Sequence, residues 1–450
     1  MQSLSSRHFT LGMRRLSIIT LFVISQLATT LSGIPFLGAE DWPQFRGVNR
    51  DGKSTSTGLL ASWKKTKPPL VRSISGAGTG YASLCVVNGV IYTTGNSQRG
   101  QFVSAFKLDS GKKQWSTEIV GVVPNHAFAG SRSTPTVSGK NLFVLASDGK
   151  LVCLDLKGKL KWERQLQTDF GGSMMSGWGF AESPLVDDDK VIITPGNGPS
   201  LMVALEAQTG KEVWNCSAEN WQRGKNSQNQ KLPRGAGYSS IAVARIIGEK
   251  QYIQFLGNGI IGVRAKDGIL RWHDQRAANP VANCCMPIAL ANNVLYSSTH
   301  LGGTARIAID LQKNKVTTEL GYYQPANRLQ CHHGGMVLHE GVVYMGHGKN
   351  QGYPVCFDFQ TGKTNWGGVF RGPGNGSAAV VYCDGNLIFR YQNGVIALIQ
   401  ANPKQYNLLG SFQQEIPSEN QSWAHPVVVD GLLLLRENNE IMCYDLNSAE

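Results

Sequence analysis

Ala204-Leu205-Glu206-Ala207-Gln208-Thr209-Gly210-Lys211-Glu212-Val213-Trp214 reads as the end of one strand, a tight turn and the start of the next. The acidic residue closes an alternating strand, Thr-Gly makes the turn, and the return strand opens on a tryptophan that requires a buried berth. The phrase recurs. It runs from Ala105 through Asp109-Ser110-Gly111 to Trp115, and from Cys356 through Thr361-Gly362-Lys363 to Trp366. One residue shorter, it runs from Cys153 through Gly158-Lys159 to Trp162, and Val263 leads through Asp267-Gly268 to Trp272. Degenerate copies start at Ala308-Ile309-Asp310 and Ala397-Leu398, and a last one, Cys443-Tyr444-Asp445, has no return strand.

Ahead of each copy stands an apolar strand, a polar turn and another apolar strand, as in Val86-Val87-Asn88-Gly89-Val90-Ile91-Tyr92 and Val427-Val428-Val429-Asp430-Gly431-Leu432-Leu433. The two phrases together make a four-stranded unit, repeated every 40–60 residues or so. Eight units begin near Tyr81, Arg132, Trp178, Tyr238, Cys284, His332, Gly376 and Trp423. An all-β fold follows: a single eight-bladed β-propeller of four-stranded antiparallel blades. The eighth unit lacks its outer strand, and Pro69-Leu70-Val71-Arg72-Ser73-Ile74 is an unassigned strand ahead of the first. Pairing the two closes the ring and leaves no free edge. Residues 40–80 are therefore an N-terminal segment with the closing strand, and 81–450 the propeller.

The first 39 residues read differently. Arg7, Arg14 and Arg15 precede an uncharged run from Leu16 to Leu31, and Leu37-Gly38-Ala39 offers small residues for cleavage. That is the layout of a secretory signal, 1–39, with no transmembrane segment after its removal. A periplasmic or extracellular location is expected. The formal charge is +12, only three of it from the arginines of residues 1–39, and so basic a surface suits an acidic polysaccharide, anionic lipid headgroups or an acidic partner protein, whereas no nucleic-acid motif accompanies it. The chain has nine cysteines. Cys153, Cys356 and Cys443 occupy the slot held elsewhere by Ala105, Ala204, Ala308 and Ala397, so they are expected to be buried thiols of a strand.

The recurring phrase resembles the tryptophan-docking repeat of quinoprotein alcohol dehydrogenases, and the chain is identified as a member of the PQQ-like propeller family. The opening Asp41-Trp42-Pro43-Gln44-Phe45-Arg46-Gly47, followed by Asn49-Arg50-Asp51-Gly52, resembles the start of exported PQQ-like repeat proteins. The repeat is also similar to that of the outer-membrane assembly protein BamB, which works without a cofactor as a protein scaffold. Membership thus fits two classes of function.

In the dehydrogenases the resemblance implies a funnel holding PQQ and Ca²⁺ where the blades begin. Tyr81, Arg132, Trp178, Glu182 and Tyr238 would face it, as would Asn283, Cys284, Cys285, His332, His333, Asn375, Trp423 and His425. Arg132 is the candidate for a quinone carboxylate, Trp178 or Trp423 for stacking, Glu182 and Asn283 for Ca²⁺. Cys284-Cys285 is similar to the family's adjacent-cysteine disulfide, against the alternative of two thiols at a strand start. Glu182 is the only acid at these loop ends, and no Trp-Asp dipeptide supplies a base. His332-His333, with His347 and His425, form a weaker metal candidate, since adjacent strand residues face opposite ways. The polar stretch from Glu219 to Gly237 is a long connection expected to be a solvated insert. The reading favoured is a monomeric, non-catalytic binding or scaffolding module of the cell envelope without cofactor. The alternatives are a PQQ- and calcium-dependent alcohol dehydrogenase and a carbohydrate-binding or cleaving propeller.

Overall fold

The computed structural model describes residues 40–218 and 224–447. The expected signal segment, its cleavage site and Arg223 lie outside the described residues. Eight four-stranded antiparallel sheets follow one another along the chain. Blades 1 to 7 span 85–120, 136–165, 185–216, 242–274, 288–324, 331–367 and 378–413, each with its strands in sequence order. Blade 8 is composite. Val427–Val429, Leu432–Glu437 and Glu440–Asp445 supply three strands, and Leu70–Ser75 the fourth, pairing Leu70 with Tyr444 and Ser75 with Glu440. The ring closes as the missing outer strand required.

The docking phrase has a local physical basis. Ala204 lies directly opposite Trp214, Ala105 opposite Trp115 and Cys153 opposite Trp162, with a register break immediately after each. The small residue makes room for the indole, and the break tilts it towards the next blade. There it covers a glycine held at positive φ: Trp115 over Gly158, Trp162 over Gly210 and Trp214 over Gly268. A Cβ on those glycines would stand 2.5–2.7 Å from the ring, so no other residue fits. Each indole N–H donates to a carbonyl of the same turn, Leu156 (3.0 Å), Ala207 (3.0 Å) and Ala265 (3.2 Å). Apolar clusters consequently fill the spaces between blades, as where Ile192 and Trp214 of blade 3 meet Tyr252 and Val263 of blade 4. Cys153, Cys356 and Cys443 are buried, free thiols within these layers.

The degenerate copies need two corrections. In blade 5 the equivalent pair is Arg306 opposite Tyr322, with Tyr322 covering Gly362; Ala308 faces Glu319 and is two residues past the slot. Its outer hairpin is longer, which shifts the apparent phrase. In blade 7, Ala397 pairs with Ser411, and the break follows Leu398 opposite Gly410. Gly410 has no side chain, and the buried Trp63 of the N-terminal segment packs over it.

That segment also does something its sequence did not announce. Trp42 exchanges hydrogen bonds with Val86 of blade 1, and Pro43 accepts from Val137 of blade 2. Arg50 donates to the carbonyls of Ile241 (3.0 Å), Ser183 (3.0 Å) and Pro184 (3.2 Å), at the entries to blades 4 and 3. Arg46 donates to Met336 of blade 6, and Gly52 accepts from Tyr382 of blade 7. Residues 42–54 therefore cross the axis against innermost strands and close the channel.

Candidate functional site

Two kinds of connection reach the face of the ring where the innermost strands begin: those linking one blade to the next, and the turns between second and third strands of a blade. Together they surround an axial cavity of about 430 Å³. Phe45 of the plug belongs to its lining. Tyr81, Trp423 and Phe128 form one aromatic wall, with Tyr81 and Phe128 each 5.1 Å from Trp423. Trp178 and Tyr238, 5.6 Å apart, form another. Arg132, Lys349 and four histidines, His300, His332, His333 and His425, join serines and Asn350 in the polar lining, and among the described residues no Asp or Glu belongs to it.

Arg132 is a clamp as well as a charge. Its guanidinium donates to the carbonyls of Trp178 (2.9 Å), Ala127 (3.0 Å) and Phe128 (2.6 Å), holding two rim loops together, and lies over the Tyr81 ring. His332 and His333 both reach the cavity, with rings 4.4 Å apart. Their strand, Cys331–His339, leaves its regular register between Cys331 and Met336, so the alternation expected of neighbours fails there. Burial keeps these imidazoles neutral, taking His332 down to about 4 and His425 to about 3, with His333 also well below the ordinary value. His425 donates from Nε2 to the His333 carbonyl (2.9 Å), whereas His333 Nε2 is buried without a hydrogen-bond partner among the described residues.

Of the residues singled out from the sequence, nine line the cavity, among them the cofactor candidates Arg132, Trp178, Cys284 and Trp423, whereas Glu182, Asn283, Cys285 and Asn375 do not. The reason is the two-residue period of extended chain. Ala181 and Ser183 face the cavity and Glu182 faces the wall; Ala282 and Cys284 face it, and Asn283 and Cys285 turn away. The Glu182 carboxylate accepts from Thr194 N (2.9 Å), Thr194 Oγ1 (3.0 Å) and Gln254 Nε2 (3.1 Å). Burial raises it to about 8 despite those bonds and the nearby charge of Arg50, which is itself lowered to about 10 by burial. Asn283 is spent likewise, donating to Leu256 O (2.8 Å) and accepting from Asn279 N (3.0 Å). Cys284 and Cys285 are both free thiols, and Cys285 donates to the His332 carbonyl (3.5 Å). The stretch 224–237 is no loose insert: Leu232 is buried, and the Asn226 side chain caps its own turn and donates to Ala278 O.

The sequence profile described as outer membrane protein assembly factor BamB matches residues 99–368, more than half of the chain. The chain belongs to that family. No curated protein matches this BamB-family chain in sequence. Among solved structures it is similar to BamB from Moraxella catarrhalis at 14% identity, covering 85% of this chain and 98% of that one with a TM-score of 0.56. It is equally similar to the quinohemoprotein alcohol dehydrogenase from Comamonas testosteroni, at 14% identity, 91% and 81% coverage and a TM-score of 0.59. A europium-containing methanol dehydrogenase matches at 13% identity, 90% coverage of both chains and a TM-score of 0.58. At such identities the likeness concerns the fold.

A quinone–calcium centre requires oxygen ligands and a carboxylate base facing the funnel. The lining of this BamB-family cavity does not fit that demand. Its two candidate oxygen ligands are turned into the wall, and among the described residues no acid lines it. Among the described residues no three His, Cys, Asp or Glu side chains converge to hold a metal ion.

Proposed function

We propose that this chain is an exported, non-catalytic binding module of the cell envelope whose working surface is the funnel. The observation that carries the reading is a wall of aromatic rings and cations with no carboxylate among the described residues. Such a wall recognises and holds, but offers neither a hard-cation site nor a carboxylate base. Membership of a family described as an assembly factor supports a binding role, and the basic, uncharged-core layout of residues 1–39 supports export. Among the described residues no helix is long and apolar enough to cross a membrane.

The test is reconstitution. The purified chain is incubated with PQQ and Ca²⁺ and assayed for dye-linked oxidation of short primary and secondary alcohols. No turnover above the protein-free mixture is expected. Sustained oxidation that is abolished by a calcium chelator would replace the binding module with a dehydrogenase.

A further inference from the structure

We propose that the funnel receives the end of an acidic saccharide, seating a uronate ring against its aromatic wall with the carboxylate towards Arg132 and Lys349. The inference rests on the binding-module reading and names the ligand class of that same site.

Size comes first. A cavity of about 430 Å³ lies in the lower part of the range of small-ligand sites and takes one or two sugar rings, not the surface of a folded partner. Lys349 and Phe128 are exposed at its edge, so a chain entering ring-end first can continue outwards.

Charge comes second. Arg132 and Lys349 are cationic side chains, neither is paired with a carboxylate among the described ion pairs, and among the described residues no acid lines the cavity to oppose them. Arg46, buried behind Gly335 and His425, adds a further positive charge, and its Nη1 is buried without a hydrogen-bond partner among the described residues. An anion entering here meets attraction without competition. The unpartnered His333 Nε2 offers one more polar atom to a ligand hydroxyl.

Ring geometry comes third. Tyr81, Phe128 and His333 stand at 40°, 54° and 61° to Trp423, and Trp178 stands at 51° to Tyr238. None of these neighbouring pairs is parallel. The walls are bowls that accept the C–H face of a puckered pyranose on one ring at a time, rather than a slot that sandwiches a flat ring on both faces.

The test titrates the purified chain with trigalacturonate, maltotriose and, in the presence of chelator, PQQ. Binding is read by tryptophan fluorescence and calorimetry. Saturable one-to-one binding of trigalacturonate is expected, at least about ten-fold tighter than maltotriose or PQQ. Lys349→Glu should weaken trigalacturonate by about ten-fold or more with an unchanged melting midpoint, and the remote Lys112→Glu should not. Absence of trigalacturonate binding, equal binding of maltotriose, tighter binding of PQQ, or indifference to Lys349→Glu would each overturn the proposal. These outcomes are separate from alcohol turnover, which alone decides whether the module is catalytic.

Discussion

Trp214 is almost fully buried, opposite Ala204 on its own strand pair and over Gly268 of the next blade. Removing its indole leaves a cavity between blades 3 and 4, and truncation of a buried tryptophan typically costs about 3–5 kcal/mol. Trp214→Ala should therefore lower the urea midpoint while leaving funnel binding intact; an unchanged midpoint would deny the docking role. The funnel histidines give a second expectation. His332 and His425 have folded-state values near 4 and 3, below the ordinary 6.5, so between pH 6.5 and about 4 the unfolded chain binds more protons. Stability must then fall as pH drops, by about 1.4 kcal/mol per unit for each such histidine. Urea unfolding at pH 7 and pH 5 should show a smaller loss for His332→Gln than for the unaltered chain; equal losses would contradict a buried, neutral His332. Nine lining residues, among them Tyr81, Arg132, Trp178 and Trp423, were legible in the sequence because they lie ahead of, or at the start of, innermost strands. The two-residue period would also have turned Glu182 and Asn283 away, had it been applied to the entry loops. His300 and Lys349 were not legible, because they sit in turns between second and third strands, whose arrival at the same face depends on the blade's up-down order.

At the scale of elements, the N-terminal segment carries the largest difference between sequence and structure. Its strand at Leu70–Ser75 was legible because a blade lacked a partner. Its plug was not, since residues 42–54 have no periodicity and hold on through arginines and main-chain groups that answer to six separate blades. Glu182 takes its meaning from this element: burial raises its carboxyl to about 8, and the nearby charge of Arg50 opposes that rise. Arg50→Met leaves three buried carbonyls without their donor, and each buried polar group so left typically costs about 1–3 kcal/mol. At pH 9, where the Glu182 carboxyl is ionised, part of the loss should return when Glu182→Gln is combined with it, since the combined variant leaves no carboxylate without its nearby cation. Denaturation of both single variants and the double variant measures this, and strictly additive losses would show that the two groups are uncoupled. Even the closing strand follows the docking rule by other means: Arg72 donates to Leu108 O (2.6 Å), the carbonyl slot that Leu156, Ala207 and Ala265 fill elsewhere.

In the whole molecule, the seam between blades 7, 8 and 1 joins the two ends of the chain. Arg390 pairs with Glu437 at 2.7 Å, both buried, and Arg436 donates across the seam to Ala82 O (3.2 Å), Gly78 O (2.9 Å) and Thr93 Oγ1 (2.8 Å). A chain lacking residues 40–75 loses both plug and closing strand and exposes Glu440–Asp445 as a free edge. It should leave the monomer peak in size-exclusion chromatography as aggregate; a monomer with the original melting midpoint would mean that the ring does not need closing. The count of eight blades was legible because each blade repeats one phrase, whereas the chemistry of the funnel depends on single side chains that repeat nowhere. Whether those side chains build a cofactor site or only a binding surface is decided most directly by calorimetric titration of PQQ into the purified chain, with and without Ca²⁺. No calcium-dependent uptake is expected, because Glu182 and Asn283 are already engaged within the wall. One-to-one uptake of PQQ that appears only with Ca²⁺ would contradict the non-catalytic funnel.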